Sequence, residues 1–139
     1  KKEFEIIKPI INKFKKIGLI DDKKFSENKS LNYMEKGYSK KKIIFNLKNK
    51  RISNKNIEYG IVNLEKFYFN HELASALIFA KKKKILTFNK KEGIMDKGKK
   101  KILQMLQAGF SYDITKKIIN LNNEKEFLEL ERYAKNGNN

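Results

Sequence analysis

Apolar residues recur every three or four positions along most of the chain, the period of an amphipathic helix. Phe4, Ile7, Ile11 and Phe14 fall on one helical face, with Pro9 inside the pattern. Pro9 is either the first-turn residue of a helix beginning near Lys8 or the kink in a longer one. Gly18 ends this element. Asp21 and Asp22 open the next helix, because carboxylates accept from the exposed N–H groups at the positive end of the helix dipole. That helix carries Phe25, Tyr33 and Met34 and ends near Gly37. Ser39 predicts an N-cap for a helix from Lys40 to about Lys50 that buries Ile43, Ile44 and Leu47. After the link from Arg51 to Ser53, Ser53 caps a helix with Ile57, Ile61 and Leu64. The pattern then predicts a longer helix from about Leu64 to Lys83, with Leu73, Ala74, Leu77, Ile78 and Ala80 inside. Lys84 to Gly93 reads as an irregular connection; Thr87 and Phe88 would suit a strand, but nothing nearby would pair with it. A helix over roughly Lys97 to Ala108 presents Ile102, Leu103 and Leu106, and Ser111 caps another lined by Ile114, Ile118 and Leu121. Glu124 to Tyr133 reads as a final acidic helix, followed by a frayed tail from Asn136 to Asn139.

The last third repeats the middle. Sliding the chain by 58 positions sets Ile44 on Ile102, Leu47 on Met105, Arg51 on Gly109, Ile52 on Phe110, Ser53 on Ser111 and Ile61 on Ile119. Apolar positions, turn and cap coincide together. Helical units repeating at about this length stack into an elongated array rather than a globule. The fold class expected is therefore all-α, built from tandem helical repeats.

The formal charge of +17 adds a partner class. A field of that size attracts polyanions, nucleic acid first and an anionic membrane second. Only Arg51 and Arg132 are arginines, and a Lys/Asn/Ile bias is what AT-rich codons produce. Arginine does most of the planar, bidentate reading of bases, so a lysine surface points to sequence-independent phosphate contacts. Lysines at Lys81–Lys84 stand at a helix C-terminus, where the dipole favours them. Lys40, Lys41 and Lys42, and again Lys99, Lys100 and Lys101, stand at helix N-termini against the dipole and at equivalent places in the repeat. These two clusters carry the functional reading, joined by Lys48, Lys50 and Arg51 and by Lys81 and Lys82. Tyr38 and Tyr112 flank turns and are candidates for stacking on unpaired bases; Phe67, Tyr68 and Phe69 read as core or inter-repeat packing.

Catalytic chemistry finds no constellation. The single histidine, His71, is expected at the surface and has no cysteine or second histidine with which to hold zinc. Side chains of adjacent residues on a helix diverge by about 100°, so Asp21 and Asp22 suit a cap better than a shared metal. Ser39, Ser53 and Ser111 stand at caps, and Gly93, Gly98 and Lys99 make no phosphate loop. The chain has no cysteine, which excludes a disulfide scaffold and a thiolate metal site and suits a reducing cytoplasm. Lysine interrupts every apolar run, so no membrane span is expected, and Lys1 to Ile7 lacks the apolar block of a signal peptide. One alternative function stays open. Ser39 to Leu64 has the outline of a helix-turn-helix, with Asn54, Lys55, Asn56 and Glu58 facing a major groove. Any stacked helical repeat contains such a pair, however, and that reading is preferred.

Gly18-Leu19-Ile20-Asp21-Asp22-Lys23-Lys24-Phe25-Ser26 resembles the G-x-[LI]-[DN]-D-x-x-[FY]-A signature of the RecX family, bacterial regulators of the RecA recombinase. Further matches follow in order: Lys36-Gly37-Tyr38, Ile43/Ile44 to Ile52-Ser53, Glu72 to Lys82, and Leu106 to Asp113. The resemblance spans roughly Ile7 to Leu121. Two positions depart from the family: Ser26 stands where alanine is usual, and Arg51 where a helix-ending glycine is usual. Arg51 must therefore either strain its turn or use another geometry. The resemblance implies a curved array of three-helix repeats: residues 1–20 the remnant of a first, 21–64 a second, 65–121 a third, and 122–139 an appended acidic helix and tail. It further implies a cytoplasmic monomer with no cofactor and no enzymatic activity. Such a protein lies in the groove of the RecA filament and blocks its extension, ATP hydrolysis and recombinase activity in DNA repair and the SOS response. Accessory, non-specific contact with single-stranded or double-stranded DNA completes the expectation.

Overall fold

The computed structural model describes residues 7–10, 12–13, 21–86 and 95–138, and among these all regular structure is helical, with no strand. Residues 7–10 and 12–13 are helical, and Ile7 and Ile10 are exposed. The expectations placed on Phe4, Ile11, Phe14, Gly18 and Thr87–Phe88 lie outside the described residues. The remaining helices are α1 (Asp22–Glu35), α2 (Lys40–Asn49), α3 (Asn54–Phe67), α4 (His71–Lys82), α5 (Met95–Gln107), α6 (Tyr112–Ile119) and α7 (Glu124–Asn136).

Six of the seven starts have a local cause that the structure shows. The Asp21 carboxylate accepts from the Lys24 N–H at 3.1 Å, and the hydroxyls of Ser39, Ser53 and Ser111 accept from Lys42, Asn56 and Ile114, each at 3.2 Å. Asn70 caps α4 through the Leu73 N–H at 3.1 Å, and Asn123 caps α7 through the Glu126 N–H at 2.8 Å. Four ends share one device, in which a residue with positive φ lets its own N–H and the next one reach back to the last carbonyls. Gly37 (φ 88°), Arg51 (φ 62°), Lys84 (φ 54°) and Gly109 (φ 100°) hold that position. Around Arg51 the bonds are Arg51 N–H to Lys48 O, 2.9 Å, and Ile52 N–H to Leu47 O, 3.1 Å. Around Gly109 they are Gly109 N–H to Leu106 O, 3.0 Å, and Phe110 N–H to Met105 O, 3.2 Å. Arg51 thus takes the strained left-handed geometry rather than another turn. An apolar residue follows each turn, and Ile52, Ile85 and Phe110 are buried.

The fully buried Met34, Ile43, Leu47, Leu64, Leu73, Leu77, Met105 and Ile118 belong to one cluster that Phe127 and Ala134 of α7 complete. α1 packs closely on α3. Gly60 faces Ser26 and Ser30 there, and a Cβ at Gly60 would stand 2.8 Å from the Ser26 carbonyl oxygen. Ser26 and Ser30 are fully buried and their hydroxyls have no hydrogen-bond partner. Small side chains at these two positions are what let α1 reach α3.

Several expectations change. The long helix from Leu64 to Lys83 is two helices, because Tyr68 is extended (φ −134°, ψ 132°) and Asn70 starts α4 afresh. The boundary expected after Leu64 consequently falls inside α3. Leu103 and Leu106 are exposed, while Met105 supplies the buried contact of α5. Phe67 and Phe69 are exposed, although Phe69 meets the edge of Tyr133 at 5.4 Å and lies against Gly137. The helix expected to stop at Tyr133 continues to Asn136, and Gly137 is buried with its N–H bonded to Tyr133 O at 2.8 Å, so the frayed tail does not begin at Asn136. α7 is docked on α4 through Phe127 and Ala134, and the N–H of Asn70 bonds to Ala134 O at 2.8 Å.

Candidate nucleic-acid interface

The cap of α2 is where the two halves of the chain meet. Ser39, nearly fully buried, accepts from Lys42 N–H and donates its own proton to Ala108 O at 2.8 Å, beyond the end of α5. One residue earlier, the Tyr38 carbonyl accepts from the buried hydroxyl of Ser75 on α4. Gly37 lies against Phe79, where a Cβ would come to 3.0 Å of the Phe79 nitrogen. Phe79 is itself tilted on Phe110, ring centres 5.4 Å apart. The C-terminal turns of α1, α4 and α5 therefore converge on the first turn of α2.

Convergence leaves a concavity of about 330 Å³, lined by Lys36, Gly37, Tyr38, Lys42, Phe79, Lys82, Lys83 and Ala108. Among the described residues, four lysines and no carboxylate line it. The Lys82 ammonium donates to Lys36 O at 3.3 Å, tying the end of α4 to the end of α1. Lys42 holds its ammonium 4.0 Å from the centre of the Tyr38 ring, and Tyr38 also stacks on Tyr33 at 5.2 Å with 8° between planes. Tyr38 is thus half-buried and engaged, not the open platform for a base that its turn position predicts.

Of the candidate residues, Tyr38, Lys42 and Lys82 come together here, with Lys36 and Lys83 beside them. Neither Lys36 nor Lys83 is among the residues the sequence singles out for the site: Lys83 falls in the Lys81–Lys84 run, which a helix C-terminus explains, and Lys36 in a turn motif. Lys40 and Lys41 are exposed on α2 and do not line the concavity. Burial pushes the Glu72 carboxyl above its usual range, and Lys40 and Lys41 pull it partly back. Lys48 and Lys50 are exposed at the end of α2, as is Arg51 at its turn. Lys99 and Lys100 are exposed on α5, Lys101 is half-buried, and Tyr112 is largely exposed. Lys81 belongs elsewhere: its ammonium is 5.9 Å from the Phe127 ring, beside a smaller hollow of about 170 Å³ shared with Lys84, Leu86 and Glu124.

His71, expected at the surface, is buried as the first residue of α4, and its Nδ1 has no partner. Burial holds its pKa below the usual histidine value; Lys40 lowers it further, against a smaller opposing pull from Glu65. Among the described residues, no group of three or more His, Asp or Glu side chains is placed to hold a metal, and no helix is long and apolar enough to cross a membrane.

The chain is similar to the regulatory protein RecX of Finegoldia magna, with 36% identity over 117 residues, 82% of this chain. It spans 55% of that protein's length. No protein-family model matches the chain, and no solved structure does.

Proposed function

We propose that this chain is a RecX-family regulator that binds a RecA–DNA filament and inhibits its extension, ATP hydrolysis and recombinase activity. It acts in the cytoplasm as a monomer, without cofactor or catalysis of its own, and touches DNA non-specifically as an accessory contact. The observation that carries this reading is the 36% identity over 82% of the chain to a regulatory protein RecX. The motifs that resemble the family also sit at structural joints. The Asp21 carboxylate caps α1, Gly37 takes the positive φ of a helix-ending turn, and Ser53 and Ser111 cap α3 and α6.

The same reading takes α1–α3 and α4–α6 as successive three-helix repeats of a curved array. Its support is the matched turns at Arg51 and Gly109 and the matched caps at Ser53 and Ser111, 58 positions apart. The turns at Gly37 and Lys84 end the first helix of each unit in the same way. A lysine-rich surface with almost no arginine suits phosphate contacts along a nucleoprotein groove better than base reading.

The test is RecA-dependent ATP hydrolysis on single-stranded DNA with and without the protein. Inhibition at stoichiometric amounts is expected. Unchanged hydrolysis would sink the reading, and tight binding to one duplex sequence would favour the helix-turn-helix alternative on α2 and α3.

A further inference from the structure

The lysines around the junction have two possible origins, and they can be separated. Lys36 and Lys83 are C-caps and Lys82 is a last-turn residue, so exposed helix carbonyls already favour cations at those three places. Lys42 has no such reason. It stands in the first turn of α2, where the dipole disfavours a positive charge, and still points its ammonium at the ring that walls the concavity. Four lysines lining one hollow, with no carboxylate among the described residues of its wall, repel one another, and that repulsion is relieved by an anion. An ammonium offers three donors, and the one hydrogen bond from Lys82 to Lys36 O leaves that group two more.

Size and wall chemistry narrow the anion. About 330 Å³ is at the small end of ligand sites, which run from roughly 300 to 1,000 Å³. Phe79, Ala108 and the edge of Tyr38 add apolar surface, which a lone phosphate would not use and a paired, stacked base could not reach. A sugar with an unpaired base would use it. We infer that the concavity between the ends of α1, α4 and α5 and the start of α2 docks one phosphate-bearing nucleotide unit of a single-stranded nucleic acid. The inference rests on the proposed function for its nucleic-acid partner and assigns that contact to Lys36, Lys42, Lys82 and Lys83. The site also needs both halves of the chain, since Lys36 and Lys42 come from one and Lys82 and Lys83 from the other. A bound strand therefore clamps the junction.

The test compares two fourfold variants of equal charge by fluorescence anisotropy with a short labelled oligothymidylate across a salt series. One is K36Q/K42Q/K82Q/K83Q. The other, K66Q/K116Q/K117Q/K125Q, removes four exposed lysines that neither line the junction nor belong to the lysine clusters singled out in the sequence. Loss of one or two single-strand phosphate contacts should flatten the log K against log salt slope by about 1 and weaken binding about tenfold near 0.15 M salt. The control set should stay within about threefold of the parent. All eight lysines are exposed, and matching thermal melts confirm that both variants fold. Equal weakening by both sets overturns the site and leaves only the general field of the protein. A second readout needs no substitution: the oligothymidylate should shield Lys36, Lys42, Lys82 and Lys83 from acetylation in the parent chain. Shielding as strong by inorganic phosphate or thymidine monophosphate at equal phosphate concentration overturns the assignment to a strand. RecA is absent from these assays, so failure of the site is distinguishable from failure of the regulator reading. Oligothymidylate shielding at the junction without inhibition of RecA removes the regulator alone.

Discussion

Replacing Gly60 by alanine tests the packing that sets α1, and with it Lys36 and Tyr38, against the rest of the protein. In an open helix interior the change is favourable, because alanine is about 1 kcal/mol better than glycine there. At Gly60 the new Cβ would lie 2.5 Å from the hydroxyl oxygens of both Ser26 and Ser30 and 2.8 Å from the Ser26 carbonyl. The hydroxyls can rotate aside within limits. The carbonyl belongs to the backbone of α1, so the helices must separate. Overpacking of this kind costs about 1–3 kcal/mol, and a backbone obstacle places it in the upper part of that range. After the propensity gain, G60A should be destabilised by about 1–2 kcal/mol, a fall of roughly 5 °C in Tm for a chain of this size. Gly98 is the internal control. Nothing lies within 4 Å of a Cβ built there, so G98A should gain about 1 kcal/mol and melt a few degrees higher. Urea unfolding with an unchanged m-value, alongside thermal melts, would measure both. A gain at Gly60 equal to that at Gly98 would refute the close approach of α1 and α3.

Two further substitutions probe the turns and the buried histidine. A non-glycine residue in the left-handed region costs about 1–2 kcal/mol, and glycine returns about 0.4–1 kcal/mol of that to the unfolded chain, so R51G should raise stability by roughly 0.5 kcal/mol. A lower urea midpoint would show that the side chain of Arg51 outweighs its backbone strain. His71 has a folded pKa below its unfolded value, so the unfolded chain binds the extra proton first as pH falls. Its contribution is complete above about pH 6.5 and is lost as pH drops through the unfolded value toward the folded one. H71Q should therefore lose less stability than the parent between about pH 7.5 and 5.5, and parallel losses in denaturation at the two pH values would exclude the histidine as the cause.

What the sequence discloses here is what is local. Asp21, Ser39, Ser53 and Ser111 announce their helices because an N-cap needs only a side-chain oxygen three residues before the N–H it accepts from. The departure at Arg51 was legible for the same reason, since the turn demands positive φ whatever residue occupies it. Asn70 was missed because apolar residues on both sides, Phe67 to Phe69 and Leu73 onward, continue a helical rhythm straight across the break. Periodicity alone places Leu103 and Leu106 inside, but the burial of Met105 instead depends on which neighbours approach.

The site divides the same way, and the division bears on how a basic surface should be read. Runs of lysine such as Lys40–Lys42 and Lys99–Lys101 are conspicuous in the sequence, yet of Lys40–Lys42 only Lys42 lines the junction. The four lysines that share a concavity come from two helix ends and one helix start, up to 47 positions apart, and no single run supplies them all. Their meeting depends on two long-range hydrogen bonds, Ser39 to Ala108 O and Ser75 to Tyr38 O, and on the bare backbone of Gly37 against Phe79. A net charge of +17 raises the affinity of the whole surface for a polyanion. At the junction the fold adds shape and an apolar wall to that charge without a carboxylate among the described lining residues, which is the difference between attracting a strand and holding it in one place.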